Sequence, residues 1–283
     1  MNFKRLFIFS FLFCFCALLF AQDDDPQQNN TSSNFKFRAV AELGFLGVLD
    51  HKVQFSNSGT YFDYGKDGGQ DVLFPISRLS LEFDFNRKNT IILLYQPLRL
   101  ESEVLLSEDL IVDDATFAAG TGVRLLYNFP FYRVSYLREL LSDHPKYKFA
   151  VGGTIQIRNA TISFESFDGQ LFRSNRDLGI VPALKIRGKA QLNDRVYAEL
   201  EADGIYAPVS YLNGSDNEVV GAILDASVRV GVEIIEPVNA FLNLRYLGGG
   251  AVGTSDDDEG PGDGYVRNWL HFTTVSAGFI YSF

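Results

Sequence analysis

Residues 219–234 read VVGAILDASVRVGVEI. Ala222, Leu224, Ala226, Val228, Val230, Val232 and Ile234 take one set of alternate positions; Asp225, Ser227, Arg229, Gly231 and Glu233 take the other. A period of two puts successive side chains on opposite faces of a strand, so the stretch predicts a strand with one wholly apolar face. Its 16 residues are long for a soluble sheet, where strands usually run to about 5 or 6. The same rule holds upstream. Val196, Ala198, Leu200 and Ala202 oppose Tyr197, Glu199, Glu201 and Asp203, while Ile180, Leu184 and Ile186 oppose Lys185, Arg187 and Lys189.

Alternation alone fits a soluble sandwich, with its apolar face inward, or a transmembrane barrel, with its apolar face toward lipid. Three features favour the barrel. Most candidate strands exceed the roughly 9 to 11 residues that a tilted membrane strand needs. Short links at 86–89, 128–130, 191–194 and 236–237 alternate with long polar segments. Finally, Val275, Ala277, Phe279, Tyr281 and Phe283 alternate up to a terminal Phe. That ending resembles the closing strand of bacterial outer-membrane β-barrel proteins. The resemblance implies location in the outer membrane, and an assembly signal at Phe279, Tyr281 and Phe283 read by the assembly machinery. Residues 94–101 (LYQPLRLE) and 269–272 (WLHF) are similar to stretches of an uncharacterised group of such barrels, which implies no activity.

Composition excludes other classes. With 35 acidic against 25 basic residues, a formal charge of −10 argues against sequence-independent nucleic-acid binding, which needs clustered Lys and Arg. Phe 26 and Tyr 13 are too many for a chain that buries nothing. Lys4 and Arg5 followed by apolar Leu6 to Phe20 predict a secretory signal peptide over 1–21. Cys14 and Cys16 lie within it, so the mature chain is expected to be free of cysteine. Residues 22–34 (QDDDPQQNNTSSN) are expected to be a disordered polar tail, leaving 35–283 as the barrel.

Turn signals divide that region into about twelve strands of an all-β, antiparallel, up-and-down transmembrane barrel. One division falls at Arg158-Asn159, within 147–167, and 142–146 is expected to be a short outer loop. Tyr and Phe near strand ends, Tyr127, Tyr132 and Tyr246 among them, are expected to form interfacial girdles. Polar faces turned inward predict a lumen charge ladder of Lys185, Arg187, Lys189, Glu199, Glu201, Asp203, Asp225, Arg229, Glu233 and Arg245. The same assignment puts Lys36, Arg38, Glu42, Arg78, Glu82, Asp84, Arg99, Glu101, Glu103, Arg124, Arg133, Glu139, Lys148, Arg158 and Glu165 inside. The run 185–189 faces 199–203 across one hairpin, so cross-strand pairing is expected.

Two passive roles follow: a porin-like small-solute channel, or a structural or surface protein with a salt-bridged lumen. The partners implied are the lipid bilayer, its outer-leaflet lipids and small polar solutes. An alternative is a rim-site lipid-modifying hydrolase using His271, which parity from Phe283 points toward lipid, although no nearby serine stands in a recognisable arrangement. His51 and His144 are expected in solvated loops. The acidic run 255–264 lacks EF-hand spacing, so no metal site is expected, and no motif calls for a cofactor.

Overall fold

A computed structural model describes residues 35–208, 219–254 and 262–283. The segments expected to be a signal peptide and a polar tail, and Asp256 to Glu259, lie outside the described residues. The strands in chain order are β1 (Phe35–Phe55), β2 (Phe62–Asp63), β3 (Leu73–Phe85), β4 (Asn89–Gln96), β5 (Arg99–Leu105), β6 (Leu110–Val112), β7 (Ala115–Phe117) and β8 (Gly122–Asn128). They continue with β9 (Phe131–Glu139), β10 (Tyr147–Ser166), β11 (Phe172–Gln191), β12 (Val196–Pro208), β13 (Val220–Ile235), β14 (Val238–Thr254) and β15 (Tyr265–Ser282). Ten strands close an antiparallel barrel, β1-β3-β4-β9-β10-β11-β12-β13-β14-β15, with β15 paired back to β1. Closure gives each of these ten strands a ladder partner on both sides, as a bilayer requires of the membrane-spanning part.

Two expected boundaries are corrected, which takes the count from about twelve to ten. Residues 147–166 form one strand, pairing with β9 below Arg158 and with β8 above it. Residues 128–130 are a bend, because Asn128 opposite Thr161 and Phe131 opposite Arg158 keep one register across it. Pro97 makes the matching bend between β4 and β5. A proline removes a ladder donor without reversing the chain. With two fewer strands, the 142–146 link moves to the short-turn end, which is periplasmic in outer-membrane barrels.

Along single strands the polarity of the two faces inverts. In the lower part of β10, Thr154 and Gln156 are buried inside while Ile155 and Ile157 are exposed outside. Above Arg158 the buried inner residues become Ala160, Ile162 and Phe164, and the outer ones Asn159, Thr161 and Glu165. The lower belt therefore turns Phe45, Leu79, Leu93, Val134, Leu184, Leu242 and Val275 toward lipid. Tyr95 and Tyr132, stacked with centroids 5.1 Å apart, mark its upper boundary. Above them, on β5, β8 and the upper part of β10, the wall has a soluble protein's arrangement, mainly apolar inside and polar outside.

This inversion overturns several expectations. Arg99, Glu101, Glu103, Arg124 and Glu165 face outward above the girdle instead of lining the lumen, and they pair on the surface: Arg124 with Glu103 at 3.1 Å and with Glu165 at 3.5 Å. Tyr127 points inward and is fully buried, so it is no girdle residue.

Candidate functional site: the filled lumen

The lumen carries two stacked layers. In the lower one, register places Lys185 opposite Asp203, Arg187 opposite Glu201 and Lys189 opposite Glu199. Lys185 Nζ donates to Asp203 at 2.7 Å, and Arg187 Nη2 to Glu201 at 2.6 Å. Lys189 sits instead over the Tyr197 ring, 3.9 Å from its centroid, while Glu199 accepts from Arg229 at 3.0 Å. Glu233 lies at the exposed periplasmic end beside a bulge in β13.

Bonds across the bore extend the ladder into a network. Arg187 also reaches Glu82 of β3 at 2.9 Å. Asp225 is held between Arg133 of β9 and Arg245 of β14, the latter bidentate at 2.5 Å to each carboxylate oxygen. Arg245 continues to Gln96 at 2.5 Å. Glu42 accepts from Asn243 at 2.9 Å and from the Ser276 hydroxyl, with Arg78 3.9 Å away. Each of these charges is nearly withdrawn from solvent; the Arg133, Asp225 and Arg245 side chains are 3%, 4% and 2% exposed. Buried charges at this density need paired partners to offset desolvation, and the network supplies them.

The upper layer is an aromatic plug. The segment between β1 and β3 folds inward, with β2 pairing to Lys52 and Val53. It inserts Phe62 and Tyr64 among Tyr127, Phe164 and Phe272, and the β6–β7 hairpin adds Leu110, Val112 and Phe117 to the same core. His51 belongs to this core and not to a solvated loop. A register shift between Val48 and Asp50 changes the inward set from even to odd residues, which turns His51 inside and leaves Leu49 outside. The imidazole stacks on Tyr64 at 4.4 Å, meets Tyr127 edge-on at 4.4 Å and shares a 2.8 Å hydrogen bond with Gln70 Oε1. The turn signals place the end of the first strand at residue 48, with His51 in the loop that follows; the strand runs on to Phe55 because the bulge shifts its alternation without ending it.

His271 lies on the outer face, where the Tyr246 hydroxyl hydrogen-bonds its Nδ1 at 2.5 Å. No serine hydroxyl bonds to it among the described residues. His144 occupies a periplasmic turn and accepts from the Lys146 and Tyr147 amides at 3.2 and 3.0 Å. No group of three metal-ligating side chains occurs among the described residues. Phe279, Tyr281 and Phe283 all face outward on the strand that closes the barrel, and the Phe283 amide donates to Phe37 O at 2.9 Å.

A closed barrel whose lower belt is apolar outside and polar inside is a transmembrane barrel of the bacterial outer-membrane type. No protein-family model and no curated protein matches the sequence. Among solved structures, the chain is similar to a Pseudomonas aeruginosa FadL homologue, at 8% identity and TM-score 0.36 over 88% of this chain and 89% of that one. It is similar to the transport unit of the autotransporter AIDA-I from Escherichia coli, at 10% identity and TM-score 0.39 over 94% of each. Neisserial surface protein A matches at 14% identity and TM-score 0.31, over 89% and 98%. Likeness this distant carries no argument about activity.

Proposed function

We propose that the protein is a structural and surface-exposed barrel whose lumen is closed at rest, in preference to an open porin-like channel. The observation that carries this reading is the double filling of the bore. An open path for small polar solutes needs continuous water-lined space; here cross-bore ion pairs fill the lower half and packed aromatic rings the upper half. The outward ion pairs above the girdle support display of a soluble-like dome on the cell surface. The hydrolase alternative needs a serine beside His271, and the hydrogen-bond partner of that ring is the Tyr246 hydroxyl instead.

Planar-bilayer recording on purified protein tests the reading. Barrels that migrate as a heat-modifiable folded species should leave the bilayer silent, and steady unit conductance from that species would sink the closed-lumen proposal.

A further inference from the structure

We propose that the segment 56–72 is a displaceable plug, poised to leave the extracellular half of the lumen as a unit; this rests on the closed resting barrel proposed above. Its attachment differs from that of the wall. The wall strands share long continuous ladders, whereas β2 contributes only two residue pairs to β1. Beyond these, the Tyr64 amide donates to His51 O at 2.8 Å, Thr60 and Ile111 exchange two bonds at 2.9 Å, and the Ser102 hydroxyl donates to Gly68 O at 2.6 Å. Gln70 Oε1 bonds the His51 ring at 2.8 Å, the Ser56 amide donates to Tyr265 O at 2.8 Å, and Asn57 is held by Asp263; single bonds and short pairs, not a long ladder, hold the segment.

Among the described residues, four of the eleven buried side-chain atoms without a hydrogen-bond partner lie where plug meets wall; the other seven lie elsewhere in the barrel. Tyr64 Oη and Gln70 Nε2 on the plug, and His51 Nε2 and Asn268 Oδ1 on the wall, are buried without a hydrogen-bond partner in the protein. Each such atom opposes the closed state, because the same group regains hydrogen bonds on reaching water. Burial of Phe62 and the Tyr64 ring favours closure. Opposed terms at one interface define a two-state element.

The adjoining wall is also unladdered. Residues 73–78 of β3 pair with β1 but not with β5, and β5 pairs only with β8. Pro75 and Pro97 supply no amide donor there. Packing of Phe74 and Ile76 in the same cluster as Leu98 and Leu100 closes this seam. The segment can thus swing from its join to β3 by giving up only the short β1–β2 pairing and its continuation at His51, leaving the ladders among the ten wall strands intact.

Amide hydrogen exchange on the full-length barrel in liposomes tests this. The Tyr64 and Gln70 amides should exchange on the order of 100-fold faster than the ladder amides of Leu43 and Val275, although all are hydrogen-bonded or buried. A Gly69→Cys/Ser102→Cys pair suits a disulfide, since a Cβ built at Gly69 lies 3.7 Å from Ser102 Cβ. Oxidation should bring plug exchange down to the wall's rate and reduction should restore it. Gly69→Ala controls for the left-handed backbone at Gly69, φ 67°. Tyr64→Phe, which deletes an unpartnered hydroxyl and keeps the ring, should slow plug exchange. Wild-type plug amides as protected as the ladder would overturn the proposal, as would faster exchange in Tyr64→Phe. If those amides are protected while bilayers stay silent, only the displaceable plug fails; resting conductance would instead remove the closed-lumen reading.

Discussion

At the scale of single residues, Asp225 shows what the lumen demands of a charge. Its carboxylate is shared by Arg133 and Arg245, which come from strands on different sides of the bore. Asp225→Asn keeps the shape but leaves the buried Arg245 guanidinium without its carboxylate and Arg133 with only Asp203, 3.8 Å away, so the folded barrel should lose about 3–5 kcal/mol in denaturant unfolding from detergent. A loss below about 1 kcal/mol would show that the network does not depend on this pair. Outside the membrane, Asp263 clips the extracellular loops together. The Asn57 backbone and side chain donate to its carboxylate at 3.0 Å each, and these bonds hold the carboxyl below the ordinary aspartate range. A depressed folded-state value means that the clip contributes above the unfolded value, about 3.9, and is lost as pH falls through the lower folded one. The Asn57 amide resonance should accordingly titrate with a midpoint below about pH 4, and Asp263→Asn should flatten the curve. A midpoint above that value would contradict the hydrogen-bonded clip.

At the scale of the strand, β10 carries the clearest lesson about legibility. Its inner and outer faces exchange polarity near Arg158, and that exchange resembles a break because a strand with one buried face is expected to keep its pattern. The cause is a change of solvent along one continuous ladder: lipid surrounds the lower part and water the upper. Arginine scanning of the outer face separates the two zones. Ile155→Arg should destabilise the barrel by about 2–4 kcal/mol, as charge near mid-bilayer does, whereas Asn159→Arg on the same face should cost about 0–1 kcal/mol. Equal costs would mean that the membrane boundary does not lie between them. The cross-strand partners 185–203 and 187–201 were legible from the short hairpin between β11 and β12, since turn length sets register. The turn into β1's inward His51 was not legible, because a one-residue bulge leaves no compositional mark.

At the scale of the whole molecule, the barrel holds two environments end to end, an ionic lower lumen and an aromatic upper one, inside one continuous wall. Silence in planar bilayers and rapid exchange confined to residues 56–72 are the two measurements that probe this arrangement as a unit. By itself, the sequence determined the all-β class, the lipid-facing apolar set, the short-turn hairpins and the outward terminal aromatics, because each follows from a period of two and local turn chemistry. Only the tertiary structure decided the strand number, the fate of Arg99, Glu101, Glu103, Arg124 and Glu165, and the filling of the bore. These depend on pairs such as Arg133 with Asp225, 92 residues apart, and Glu42 with Ser276, 234 apart. Closure of the ring brings such partners together, and no local pattern encodes which side chains meet across it.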